Sequence, residues 1–355
     1  MTDIVNMAPS THGNVSQEFQ FTSSTPTLIM CSLYMVLGIV AILANLLDIL
    51  IFVTNNELRR KYIFFVAIDV GELVDGLSYV LTSIGRGSGV LTGTFPQPIS
   101  IHDCFFKRYW VHALIMGTEL PALITIVISI ERILAVHKPK VYNKYVTTRT
   151  KILSLVTVVF IQLVFLSAAG FSAYGNTEMA TTRHCAIITS TATYFSIFHF
   201  VFVVSAYVVS FTSLLITYVV YKNMERRAFG AKRKTQLVLF LFVTGTSIIF
   251  VSMPGIVMIG IRLHLFAVND LIVGLTYSTT GFLSIMNTIM NYKFRPEYRA
   301  QVNLLFGNTP KKKESVARVI HISTINVHEL PHFKNTQAPL KKISVSYYLV
   351  QKIFV

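Results

Sequence analysis

Seven apolar runs, each long enough to cross a lipid bilayer, dominate this 355-residue chain. A bilayer core is roughly 30 Å thick, so about 20 apolar residues cross it as a helix. The runs fall at about 28–53, 62–84, 110–135, 152–174, 192–221, 235–261 and 270–292. Backbone groups in lipid find partners only within their own segment, so each run is expected to be helical. The expected fold is an all-α membrane protein, a seven-transmembrane helix bundle. Pro121, Gly245, Pro254 and Gly255 lie inside runs, where a membrane helix kinks rather than breaks. The second and seventh runs are the most polar of the set.

Composition narrows the function classes. Only 13% of residues are charged and 53% are apolar, with a mean hydropathy of +0.59. Soluble domains carry about 25% charge, so this chain has too little polar surface to cover a globule in water. A soluble enzyme and a disordered chain are both excluded. Three cysteines rule out a disulfide-dense scaffold and a four-cysteine zinc site. No H-E-x-x-H, G-x-S-x-G or nucleotide-binding loop is present, so no enzyme, cofactor or metal is expected.

The net charge of +15 matters less than its placement. Lys and Arg near span ends set orientation. One side holds Arg59, Arg60, Lys61, Arg132, the bases from Lys138 to Lys151 and from Lys222 to Lys234, and everything from Lys293 onward, 26 in all. The other holds Arg86, Lys107, Arg108, Arg183 and Arg262. The chain is therefore expected in the cell membrane with residues 1–27 as an extracellular tail and the C-terminus cytoplasmic. The basic surplus reads as contact with anionic membrane lipid, with no nucleic acid partner. No basic stretch, short apolar stretch and cleavage site precede the first run, which is expected to be the insertion signal. Asn14, in Asn14-Val15-Ser16, is a glycosylation candidate on the extracellular side.

Cys104 precedes the third run and Cys185 lies between the fourth and fifth, both on the extracellular side, where disulfides persist. Either they form one bridge that pins the second outer loop to the third helix, or they are two unpaired thiols. Cys31 lies within the first run.

Ionisable groups in a span cost at least about 2.5–3.5 kcal/mol, so they face protein or trapped water. Asp48, Asp69, Glu72, Asp75, Glu119 and Glu131 are such groups. Asp69, Glu72 and Asp75 recur every three residues and share a helix face. They either form a switchable network or only solvate a wet cavity. Asn45 and Asn287 are candidates to complete a polar cluster with Asp69. Glu131-Arg132 closes the third run, as an ion pair released on activation or as a snorkelling end-cap.

Taken together, these features resemble the rhodopsin-like G-protein-coupled receptors over about residues 28–306. Asn45 in Ala44-Asn45-Leu46-Leu47 is similar to the family's first-helix Asn, and Asp69 in Val66-Ala67-Ile68-Asp69 to its second-helix Asp. Glu131-Arg132-Ile133 resembles the D/E-R-Y triplet, and Asn287-Thr288-Ile289-Met290-Asn291 occupies the N-P-x-x-Y site. Pro254 matches the sixth-helix bend, and the Lys293–Arg299 stretch resembles the start of an eighth helix. Departures are also clear: Thr288 and Asn291 replace the seventh-helix Pro and Tyr, Ser252 stands at the toggle Trp, and Lys234 replaces the acid that locks the Arg. Pro121 replaces a Ser that often helps hold sodium, although Asp69 and Ser284 are present. Divergence of this kind resembles the nematode serpentine chemoreceptors, and the stretch from Gly71 to Arg86 is similar to class xa.

The resemblance implies a small-molecule ligand on the outside and a heterotrimeric G protein on the inside, the latter touched by Glu131 and Arg132. It implies an intramembrane network of Asn45, Asp69, Ser284 and Asn287, and Pro254 as the bend about which the sixth helix swings. Leu114 sits where amine receptors carry an Asp, which disfavours a cationic amine, and no Lys in the seventh run offers a retinal Schiff base. Ligand-binding candidates by depth are Tyr79, Glu119, His199 and Tyr277, residue types that more often serve packing. Gly85-Arg86-Gly87-Ser88-Gly89 leads from the second span into an outer loop.

The bundle spans 28–292. Residues 293–306 read as a short amphipathic helix on the membrane surface, with Phe294, Tyr298, Val302, Leu305 and Phe306 on one face and Arg295 and Arg299 opposite. Residues 307–355 read as a disordered cytoplasmic tail. The competing function is a seven-span ligand-gated channel subunit or transporter. A channel needs a polar face along an entire helix, whereas only the second run carries a cluster; no internal repeat supports a transporter.

Overall fold

The computed structural model describes residues 23–225, 231–263, 265 and 270–307. Asn14, the tail beyond 307 and the basic segment 226–230 lie outside the described residues. Seven long helices form: α1 (Ser24–Thr54), α2 (Ile63–Leu91), α3 (Tyr109–His137), α4 (Thr148–Ala173), α5 (Thr193–Glu225), α6 (Ala231–Ser247, running on to Arg262) and α7 (Asp270–Phe294). A shorter α8 (Pro296–Leu305) follows. Five of the long helices hold stretches long and apolar enough to cross a membrane: Ser24–Thr54, Tyr109–His137, Thr148–Ala173, Thr193–Lys222 and Leu237–Arg262. The other two, α2 and α7, have 29 and 25 residues, enough length. Their polarity is turned inward: Asp69, Glu72, Ser284, Asn287 and Asn291 are all buried.

The outward surfaces are apolar. Leu153, Val156, Phe160 and Phe171 stand exposed along α4, and Val36, Leu43 and Leu50 along α1. A contiguous apolar exterior of this kind is unsustainable in water and suits lipid. Helix α1 packs mainly on α2 and α7, and α3 on α2, α4 and α5. Two buried clusters fill the interior. One surrounds Trp110, Ile115, Phe195 and Met258 near the disulfide; the other surrounds Phe52, Phe65, Ile128 and Leu239 towards the Arg132 end.

The Gly85–Gly89 stretch is helical rather than a loop, because α2 continues to Leu91. Two tertiary anchors outweigh its weak helix propensity. The Trp110 indole occupies the space that a side chain at Gly85 would fill. Arg86 Nε donates to the His184 carbonyl at 2.8 Å. Gly85→Ala would place a methyl group inside the indole ring. We expect a cost of about 1–3 kcal/mol, read as a lowered melting temperature of the reconstituted protein.

In α6 the residues Ile248–Ser252 form a π-helical turn directly before Pro254. Proline has no N–H and clashes with the carbonyl four residues back, and a widened turn relieves both. That carbonyl, Phe250 O, accepts a hydrogen bond from the Thr279 hydroxyl of α7 at 2.8 Å. The irregularity in α6 is thereby tied to α7.

Candidate functional site

A small cap covers the disulfide end. Strand β1 (Ile99–Ser100) pairs antiparallel with β2 (Met179–Ala180), with Ile99 opposite Ala180. Ser100 caps the short helix Ile101–Lys107, its hydroxyl accepting from the Asp103 N–H at 3.1 Å. That helix carries Cys104, which is bridged to Cys185 with Cα atoms 5.4 Å apart. The pairing left open by the sequence is thus resolved. Cys185 is held at φ +44°, a left-handed conformation costly for a non-glycine residue. The bridge and the Trp110 Nε1–H, which donates to the Cys185 carbonyl at 3.1 Å, fix it there.

Beneath the cap lies a narrow cavity, whose empty space together with the open solvent at its mouth is about 470 Å³. One wall is a single face of α2: Asp75, Tyr79, Thr82 and Arg86, spaced by four, three and four residues. Leu114 and Thr118 of α3 face it, Tyr34 and Tyr277 close the side, and His184, Ala186 and Ile187 form the roof. Tyr79 donates to the Tyr277 carbonyl at 2.9 Å and shares a short hydrogen bond with Thr280. This ties α2 to α7 across the cavity. At Gly117 the α3 backbone passes so close to α2 that an added methyl would stand 2.7 Å from the Asp75 Cα. The glycine therefore fixes how near Asp75 lies to α3.

Burial holds the His184 imidazole well below its ordinary value of 6.5, and the Arg86 guanidinium beside it adds to the effect. His184 is therefore neutral in the folded protein. Above pH 6.5 the folded and unfolded chains bind the same number of protons at this site. Below it only the unfolded chain gains one, so stability falls as pH drops, by about 1.4 kcal/mol per unit for one proton. A melting temperature that declines from pH ~6.5 downward, and less steeply in His184→Gln, is the expected result.

Of the four ligand candidates, Tyr79 and Tyr277 line the cavity. Glu119 and His199 do not. They pair with each other, Nδ1 to Oε1 at 2.7 Å, fully buried between α3 and α5. Gln162 of α4 donates to the other Glu119 oxygen at 2.9 Å, and the second His199 nitrogen meets the Thr118 hydroxyl at 3.1 Å. The cluster touches the cavity lining through Thr118. Asp75, Thr82, Arg86 and His184 are the cavity residues that depth along single helices did not pick out. The α2 face shared by Asp75, Tyr79, Thr82 and Arg86 was visible as the spacing 75, 79, 82, 86.

Below the cavity, Asn45 donates to Ser284 at 3.1 Å and Asn287 donates to Glu72. Asp69, though 1% exposed, hydrogen-bonds no described residue. The hub of the polar core is instead Asp48, fully buried. It accepts from Asn291 at 3.0 Å, from Thr288 at 3.1 Å and from the Tyr298 hydroxyl of α8. Thr288 and Asn291, the departures from the seventh-helix pattern, are two of the donors. Arg295, expected on the polar side of α8, is buried instead among the rings of Phe52, Tyr62 and Phe65 at 5.4, 4.6 and 3.3 Å. Burial pulls its guanidinium down to about 10, so it remains charged at neutral pH. The cage satisfies it through ring faces, a cation–π arrangement.

At the far end of α3, Glu131 is buried and held three ways. It pairs with Arg132 at 3.0 Å and Lys151 at 2.7 Å, and accepts from the Tyr142 hydroxyl at 2.9 Å. Lys61 and Tyr62 bind Glu297 at 2.8 and 2.9 Å, joining the turn after α1 to α8.

Residues 96–238 match the family model described as the serpentine type 7TM GPCR receptor class ab chemoreceptor. The match covers well under half of the chain and bears out the resemblance to serpentine chemoreceptors; it does not extend to class xa. No curated protein matches the chain. The helices and the apolar exterior describe a multi-pass membrane protein, and residues 96–238 are similar to serpentine chemoreceptors.

Proposed function

We propose that this protein is a G-protein-coupled chemosensory receptor whose seven helices cross the cell membrane. The disulfide cap lies outside and α8 lies against the inner leaflet. A small extracellular molecule enters the capped cavity, and Glu131 and Arg132 report to a heterotrimeric G protein. The observation that carries this reading is that α3 serves both ends: Leu114 and Thr118 line the cavity, and Glu131-Arg132 lies in the last two turns. These ends are 18 residues apart, about 27 Å at 1.5 Å per residue.

The mechanism is a population shift. A ligand that prefers one arrangement of α2, α3 and α7 biases the bundle by its differential affinity and by no more than that. Both α6, through the Thr279–Phe250 bond beside Pro254, and α2, through Tyr79, are tied to α7. Movement at the cavity is therefore felt by both. At the inner end, breaking the Glu131–Arg132 pair, with Glu131 kept by Tyr142 and Lys151, frees Arg132 for the G protein. Expression with a promiscuous G protein and a small-molecule screen should yield a ligand-evoked response. Arg132→Ala should abolish it at unchanged surface level. A full response in that variant contradicts the role given to Arg132, and current that persists with G proteins blocked points to a channel.

A further inference from the structure

We infer that the cavity takes a small molecule with a hydrogen-bond-donating head on an apolar body, the head seated on Asp75. This rests on the receptor reading above. Leu114 had argued against a cationic ligand, because the third helix offers no acid there. The structure supplies the acid from α2 instead, since Asp75 and Leu114 line the same cavity. The Asp75 side chain makes no hydrogen bond or ion pair with a described residue; only its backbone carbonyl is engaged, by Ser78. The Thr82 hydroxyl, two turns along the same face and 1% exposed, is also without a hydrogen-bond partner among the described residues. Buried polar groups are nearly always satisfied, so the buried Thr82 hydroxyl, open on the same cavity wall as the half-buried Asp75 carboxyl, marks where a polar guest belongs.

The remaining walls set the rest of the ligand. The one cation among the described lining residues, Arg86, lies eleven residues beyond Asp75, about 16 Å along the helix. Its Nε is committed to the His184 carbonyl in the roof. Asp75 thus stands as an acceptor at one end of the α2 face, in a cavity that Leu114 and Ile187 also line with apolar side chains. A protonated amine suits it best, since charge-assisted hydrogen bonds are about twice as strong as neutral ones. A hydroxyl head shares the same donor chemistry more weakly, and an ionised carboxylate head has no proton to donate.

The test uses the full chain in lipid nanodiscs without G protein, probed with hexylamine, hexanol and hexanoate. The three share one apolar body, so nonspecific partitioning is common to all. Hexylamine should raise the melting temperature most, hexanol less and hexanoate not at all. Asp75→Asn should weaken hexylamine about tenfold or more, the loss of one charged hydrogen bond. Leu114→Phe fills the cavity from its apolar wall and should abolish the hexylamine shift, which decides the matter if Asp75→Asn does not fold. Hexanoate matching hexylamine, unchanged hexylamine binding in Asp75→Asn or Leu114→Phe, or no shift with any probe overturns the assignment. Because no G protein is present, a failure of coupling leaves this result standing. A receptor that couples but fails here loses only its ligand chemistry.

Discussion

Cys185→Ser should strip the roof from the cavity and cost the protein about 2–5 kcal/mol, the usual penalty for losing a native disulfide. The bridged residues are 81 apart in sequence, and the loop they close contains all of α3 and α4. Cutting it frees the segment that carries β2, Arg183 and His184. Cys185 is then no longer held at φ +44°, and the Trp110 indole loses the acceptor that keeps it against Gly85. Loss of surface expression and a melting temperature lower by several degrees are expected, with a weaker ligand response in whatever reaches the surface. Cys104→Ser should do the same. The double variant should be no worse than either single one, because both remove one bond and the effects of coupled residues do not add. A double variant that loses the sum of the two would show that the cysteines act separately.

Asp48→Ala is the second large loss. It removes the acceptor shared by Tyr298, Asn291 and Thr288 at a fully buried position. Thr288 keeps a bond to the Ser284 carbonyl at 3.1 Å, so two donors are orphaned, at about 1–3 kcal/mol each. Burial and the Asp48 carboxylate hold the Tyr298 phenol above its ordinary range, so it is a committed donor. The expected cost is therefore about 2–6 kcal/mol, with α8 released from the bundle. Tyr298→Phe alone should cost less, since Asp48 retains two donors. In the Asp48→Ala background Tyr298→Phe should cost almost nothing, because the hydroxyl has already lost its partner. A melting-temperature cycle over the four proteins measures this coupling; independent, additive effects would mean that α8 is not held through Asp48.

The helices were legible because the bilayer allows few alternatives. The apolar run 28–53 became Ser24–Thr54 and the run 270–292 became Asp270–Phe294. The second run failed only at its end, where glycines suggested a loop. The tertiary anchors at Gly85 and Arg86 that keep it helical come from residues 110 and 184 and leave no mark on local periodicity. The polar core was legible as a list and not as a set of pairs. Asp48, Asp69, Glu72 and Asn287 stand out because charge and amides are rare in lipid. Which of them meet depends on the rotation of each helix about its axis. Asp48 therefore finds Tyr298 across 250 residues, while Asp69 bonds to neither asparagine. Arg295 misled for a related reason: an arginine at a helix start reads as solvent-facing. Three aromatic rings from α1, α2 and the residue between helices make burial tolerable.

A receptor needs an odd number of crossings, including the two polar helices α2 and α7, so that cavity and Arg132 face opposite sides of the membrane. Epitope tags at the two ends of the chain, stained before and after permeabilising the cells, read this out. The N-terminal tag should stain on intact cells and the C-terminal tag only after permeabilisation. Staining of both tags in the same compartment would contradict it.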